Sequence, residues 1–105
     1  MTDRLAGMLS LSMKAGKLRT GEFSVERSVK SGKAKLCLIA ADASENTRKK
    51  FEAICRSGKV PCVPSGFGKK ELGALAGQGE RTTAAIEDTG FAENILRLME
   101  GRQTQ

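Results

Sequence analysis

The stretch Lys17–Ala40, KLRTGEFSVERSVKSGKAKLCLIA, contains the pattern that decides the fold. It predicts a short strand over 17–20, a helix over 21–31 and a second strand that begins at Leu36. The segment Leu36–Ala41 is apolar without alternation, which is typical of a strand covered on both faces in an α/β sheet. We therefore predict that this strand is the central one.

The predicted helix over 21–31 has an unusual outward face. At 3.6 residues per turn Val25 and Val29 fall on one side, whereas Phe23, Arg27 and Lys30 fall together on the opposite side. A large aromatic residue thus joins two cations. Two interpretations stay open: Phe23 covers a seam with another element beside ordinary solvated charges, or this face binds a partner.

The start of that helix favours an anionic ligand. Gly21 allows a close backbone approach, and the unpaired N–H groups of a first helical turn attract anions such as phosphate. Lys17 and Arg19 lie just before the helix and add positive charge. Lys69 and Lys70 similarly begin a later predicted helix, where they oppose the helix dipole, so a use other than helix stability is suggested.

The remaining elements extend the alternation of helices and strands. We predict helices over 3–15, from the Asp42–Lys50 segment to Gly58, over 69–76 and from about Phe91 onward, and strands over 60–64 and 82–86. Pro61 and Pro64 cannot donate to a ladder, which predicts either an edge strand or a strand that pairs only in part. The order αβαβαβαβα indicates one domain, residues 1–105 with the last four frayed. Its predicted fold is a three-layer α/β/α sandwich with a four-stranded mixed sheet.

Positive charge is concentrated in the front of the chain. The formal net charge is +6, and residues 1–35 carry eight Lys or Arg against three acidic residues, whereas residues 61–105 carry five against six. Such asymmetry favours a polyanionic partner, and nucleic acid is the expected one. No apolar run is long enough to span a bilayer and no signal-peptide pattern is present, so we expect a cytoplasmic protein.

The chemistry-bearing residues indicate no enzyme. The chain has no histidine, and its three cysteines lack CxxC spacing, which predicts small buried hydrophobes, no disulfide framework and no metal site. Gly68-Lys69 is not a phosphate-binding loop because Val63 and Lys70 stand where glycine and Ser or Thr are required. Asp42 and Glu45 form either a carboxylate pair or helix caps, and we favour caps. We predict a non-catalytic protein without a cofactor.

Several motifs together resemble the L-seven-Ae family of kink-turn RNA-binding ribosomal proteins. They are Gly16–Gly21; Val25, Arg27 and Val29; Gly32–Leu36; Ile39, Ala40 and Asp42; Val60–Pro61; Lys70–Gly73; Ala76–Gly77; and Ala85–Ile86. The segment Ala41–Lys50 is most similar to the bacterial YlxQ-like branch of that family. The resemblance extends over about residues 5–98.

The resemblance implies a monomeric domain that binds structured RNA, most simply ribosomal RNA, at the sheared G·A pairs of a kink-turn. Gly21 falls on the family's close-approach glycine, and Lys17, Arg19 and Arg27 fall on its basic positions. The loop of Gly79, Glu80, Arg81 and Thr82 falls where the family contacts the flipped-out nucleotide. Together with the outward face of the helix, these positions give the predicted RNA-binding residues Lys17, Arg19, Gly21, Phe23, Ser24, Arg27, Lys30, Gly79, Glu80, Arg81 and Thr82.

Two departures from the family pattern alter the expected mode of binding. Phe23 and Ser24 replace the Asn and Glu that contact guanine edges, and Phe cannot form such hydrogen bonds, so we expect stacking there instead. The loop over 79–82 is polar rather than apolar. The alternative function is a protein-interaction module on the same fold that docks through Phe23 and has lost selective RNA binding.

Overall fold

Residues 4–103, which the computed structural model describes, with side chains described as far as residue 100, form helices and strands in the predicted order. The helices are α1 (Arg4–Lys14), α2 (Glu22–Lys30), α3 (Glu45–Gly58), α4 (Lys69–Leu75) and α5 (Thr89–Gln103). The strands are β1 (Leu18–Thr20), β2 (Leu36–Ile39), β3 (Cys62–Pro64) and β4 (Thr83–Ile86). The predicted helix start at Asp3 lies outside the described residues, as do positions 104 and 105 of the stretch predicted to be frayed.

The strands form one mixed sheet in the order β1-β4-β2-β3. Strand β4 is antiparallel to both of its neighbours, and β2 is parallel to β3. All four residues of β2 are buried, and the strand lies inside the sheet, which confirms the prediction from its unbroken apolar run. Strand β3 lies at the edge, as its prolines predicted.

Helices cover both faces of this sheet. Helices α2 and α3 pack together; α2 contacts β4 and α3 contacts β3. Helix α1 packs on α5 and α4, and both of these helices contact β4. The core between the layers includes Leu36, Phe51 and Ile95, each 0% exposed. The predicted α/β/α sandwich is therefore confirmed.

All four strands are shorter than predicted, β1 and β4 by one residue and β2 and β3 by two. In β2 and β3 the residues beyond the strand form hydrogen bonds with other segments. Strand β2 ends at Ile39, since the N–H of Ala41 donates to the carbonyl oxygen of Phe67 in a loop (2.8 Å). Strand β3 begins at Cys62, since the N–H of Val60 donates to the carbonyl of Cys55 and closes the end of α3 (2.8 Å).

The acidic residues considered as a catalytic pair are engaged in helix ends. Ser44 caps α3 by accepting a hydrogen bond from the N–H of Thr47 (3.1 Å). Asp42 accepts one from the N–H of Lys69 (2.8 Å) and so caps the distant α4. Glu45 pairs with Arg48, its neighbour one turn on (3.7 Å). The capping interpretation holds for Asp42, on a helix other than the one that follows it, and not for Glu45, which forms an ion pair instead.

The cysteines are free, with Cys37 and Cys55 buried and Cys62 half-buried. Hydrogen bonding from the thiol of Cys37, and then from that of Cys62, lowers the pKa of Cys55 below its usual range.

No helix within residues 4–103 is long and apolar enough to cross a membrane.

Candidate nucleic-acid interface

The N-terminus of α2 is open to a ligand. Gly21 is the N-cap residue with φ 94°, a conformation that L side chains rarely adopt, and its N–H donates to the carbonyl of Thr83 in β4 (3.2 Å). No described side chain caps this end of the helix. The first-turn N–H groups are therefore available to a phosphate or another acceptor.

Phe23 lies in the first turn of α2 and is 77% exposed. Among the described residues only Leu11, on α1, is also an exposed large hydrophobic residue, at 54%. The sequence left open whether Phe23 covers a seam within the fold; the structure shows that it does not. Its ring is available to a partner.

Two grooves flank Phe23. The first, here named the arginine groove, has a volume of about 480 Å³ and is lined by Arg19, Phe23, Ser24, Arg27, Ser28, Ser31, Lys33 and Glu87. The second, here named the loop groove, has a volume of about 410 Å³ and is lined by Gly21, Glu22, Phe23, Ser24, Lys69, Glu80, Arg81 and Thr82. Phe23 and Ser24 line both grooves, so the aromatic ring stands at the boundary between them.

The arginine groove carries an excess of positive charge. Glu87, whose side chain is 11% exposed, pairs with Arg19 (3.4 Å) and accepts a short hydrogen bond from the hydroxyl of Ser28 (2.6 Å). These contacts orient Arg19 at the mouth of the groove. Arg27 and Lys33 have no ion pair with a described residue, so both cations can contact phosphate.

The loop groove is assembled from distant segments. The Arg81 side chain lies over Gly21, where an added Cβ would be 3.8 Å from the Arg81 Nε atom. The Arg81 guanidinium donates to the carbonyl of Glu80 (2.8 Å) and to the side-chain oxygen of Gln78 (3.2 Å). Lys69 Nζ lies 3.9 Å from a carboxylate oxygen of Glu80. These contacts hold the loop against both α4 and the head of α2.

Glu22 links the head of α2 to its neighbours. Its carboxylate accepts hydrogen bonds from the hydroxyls of Thr47 and Thr82, both at 3.4 Å. Lys50 on α3 lies 3.9 Å from the same carboxylate and 3.7 Å from that of Glu26. Lys50 thus offsets part of the negative charge of Glu22, which reduces the repulsion of an approaching phosphate.

Most of the predicted site residues come together in these grooves, and three do not line either one. Lys17, Lys30 and Gly79 are outside both grooves. Lys30 instead pairs with Glu26 (2.6 Å), an interaction that lowers the pKa of that carboxyl, and borders a depression against α3. Their part in binding stays a prediction.

Two groove cations were absent from the predicted site. Lys33 follows the end of α2 and lines the arginine groove, and Lys69 begins α4 and lines the loop groove. The sequence carried a signal for Lys69, because a lysine at a helix N-terminus opposes the dipole. For Lys33 the only signal was its place in the basic front of the chain.

Comparison with known proteins yields consistent matches. The sequence model of the ribosomal protein L7Ae/L30e/S12e/Gadd45 family matches residues 3–96. RNA-binding protein YlxQ of Enterococcus faecium is 38% identical over 99 residues, which are 94% of each chain. YlxQ of Bacillus subtilis is 34% identical over 93 residues, 89% of this chain and 92% of its own. A solved structure of a Bacillus halodurans protein of unknown function superposes with a TM-score of 0.88 at 29% identity, over 94% of this chain and 99% of that one.

Proposed function

Because the chain belongs to the ribosomal protein L7Ae/L30e/S12e/Gadd45 family, we propose that it binds structured RNA, without catalysis, through the two grooves around Phe23. The observation that carries the proposal is the 77% exposed Phe23 ring between two cation-lined grooves, at a helix end that no described side chain caps. Both YlxQ relatives are named RNA-binding proteins, which supports RNA as the ligand.

Phosphate contacts supply affinity in this proposal. Arg19, Arg27 and Lys33 line one groove and Lys69 and Arg81 the other, so cations flank the helix head on both sides. We propose that two strands of a bent duplex, or a duplex and an extruded nucleotide, contact the two grooves. Contacts of this kind position the RNA and are weakened by salt.

Recognition of a particular RNA shape comes from the centre of the surface. Gly21 lets the RNA backbone or a base edge approach the first turn of α2, where the free N–H groups donate. Phe23 offers a flat ring on which an unpaired base stacks, an interaction worth about 1–3 kcal/mol per base. We propose a kink-turn or a similarly bent segment of ribosomal RNA as the ligand, bound by one copy of the chain on ribosomal particles in the cytoplasm.

The decisive experiment is a titration of the protein against a kink-turn RNA and a matched duplex whose G·A pairs are replaced. Phe23→Ala is compared with the wild type, and Leu11→Ala is the matched control because Leu11 is an exposed apolar residue outside both grooves. We expect preference for the kink-turn, and affinity lower by about 1–3 kcal/mol in Phe23→Ala only.

Two other outcomes contradict the proposal in different ways. Equal binding of both RNAs, unaffected by Phe23→Ala, refutes recognition at the helix head and leaves only a basic surface. Weak RNA binding together with a salt-insensitive protein complex that Phe23→Ala abolishes supports the alternative, an interaction module led by apolar burial. Cosedimentation with ribosomal particles tests the ribosome association separately.

A further inference from the structure

The three cysteines form a cluster that no spacing in the sequence indicates. Cys37 in β2 and Cys62 in β3 are partners in the parallel register, so their side chains lie on the same face of the sheet. Cys55, near the end of α3, approaches from the helix that covers this face. The three Sγ atoms all lie within 4.8 Å of one another.

The cluster is inside the protein but is accessible at one edge. Cys37 and Cys55 are 0% exposed, whereas Cys62 is half-buried on the edge strand. Cys62 also lines a depression of about 400 Å³, together with Arg48 and Glu52. Cys62 is therefore the member of the cluster nearest to solvent.

We propose that Cys37, Cys55 and Cys62 form a binding site for one Cu(I) ion, coordinated by their three sulfur atoms. A metal–sulfur distance of about 2.3 Å places three sulfur atoms of a trigonal site about 4 Å apart, so only small side-chain rotations are needed. On coordination each thiol releases its proton to solvent as a metal–sulfur bond forms, and the oxidation state of copper does not change.

The donor set favours Cu(I) over other metals. Thiolates are soft ligands that select Cu(I), Zn(II) and iron–sulfur clusters, whereas Mg²⁺ and Ca²⁺ require oxygen. A structural zinc site has four protein ligands. This group holds three cysteines, and no further Cys, Asp or Glu of the described residues joins it. The chain also has no histidine that could serve as a fourth ligand. A three-coordinate sulfur site suits Cu(I).

The test is an anaerobic competition between the reduced protein and a coloured Cu(I) chelator, with bound copper measured per chain. Cys62→Ala is the principal variant, since this half-buried position tolerates truncation better than Cys37 or Cys55. Val63→Ala, one residue further along β3 and also half-buried, is the matched control. Circular dichroism confirms that each variant is folded.

For the wild type we expect one Cu(I) per chain and loss of thiol reactivity in the complex. The affinity for Cu(I) is expected to fall by more than about 100-fold in Cys62→Ala and to stay unchanged in Val63→Ala. Equal affinity in wild type and Cys62→Ala overturns the site. A parallel titration with Zn(II) that binds tightly while Cu(I) does not overturns the choice of ion. None of these measurements depends on RNA binding.

Discussion

At the scale of single residues, exposure separates the candidate site from the core. Val25 and Val29 on α2 are 0% and 3% exposed, whereas Phe23 on the same helix is 77% exposed. An exposed aromatic ring provides a large contact area once it is covered by a partner. Single exposed apolar residues are common. Phe23 is a candidate binding residue because cations lie on both sides of it.

Thr83 offers a test at this scale, since its side-chain hydroxyl is buried without a hydrogen-bond partner among the described residues. We predict that Thr83→Val raises the free energy of unfolding by about 1 kcal/mol, because it removes an unsatisfied buried polar group while keeping the β-branched shape. Urea unfolding measures this change. Thr82→Val is the control, since the Thr82 hydroxyl donates a hydrogen bond to Glu22. This variant is expected to show no increase in the free energy of unfolding. A Thr83→Val variant less stable than the wild type contradicts the prediction.

At the scale of elements, the loop between α4 and β4 depends on one glycine. A Cβ added to Gly73 would overlap the backbone carbonyl of Gly79 and crowd the Cα of Glu80. The carbonyl of Gly73 also accepts a hydrogen bond from the N–H of Gln78 (2.8 Å). Helix α4 thereby sets the position of the loop that carries Arg81 to the head of α2.

We predict that Gly73→Ala lowers the free energy of unfolding by about 1–3 kcal/mol and weakens RNA binding several-fold, because the loop must move away from α4. Gly7→Ala is the matched control: Gly7 lies within α1 and an added Cβ there meets nothing within 4 Å, so a gain of about 0.5–1 kcal/mol is expected. Thermal unfolding and RNA titration of both variants give the comparison. Wild-type stability and affinity in Gly73→Ala show that the loop position is not set by this contact.

At the scale of the whole molecule, net charge and its distribution act together. The formal net charge is +6, and the folded chain brings cations from its front, from the start of α4 and from the loop before β4 to the same surface. A cluster of this kind attracts RNA from a distance and makes binding sensitive to salt.

The salt dependence provides the prediction at this scale. Arg27→Ala is expected to weaken RNA binding and to reduce the magnitude of the slope of log affinity against log salt by about one unit, if Arg27 contacts one phosphate. Arg56→Ala is the control, because Arg56 is an exposed arginine on α3 outside both grooves. Titrations at several salt concentrations measure both slopes. An unchanged slope in Arg27→Ala removes this residue from the phosphate contacts.

The sequence alone determined the elements, their order and much of the sheet. The unbroken apolar run from Leu36 predicted an interior strand and the prolines around Cys62 an edge strand, because burial and hydrogen-bonding capacity are local properties of a segment. The resemblance to a family supplied Gly21, Arg19 and the loop over 79–82 as site residues, and periodicity placed Phe23 away from the buried side of α2.

Only the tertiary structure decided which distant segments meet. Insertion of β4 between β1 and β2 pairs Leu18 with Ile86 and brings Arg81 over Gly21. The cysteine cluster likewise results from the register of β2 on β3. Side-chain periodicity specifies which face of an element is buried but not which other element covers it, since that depends on the packing of the whole chain.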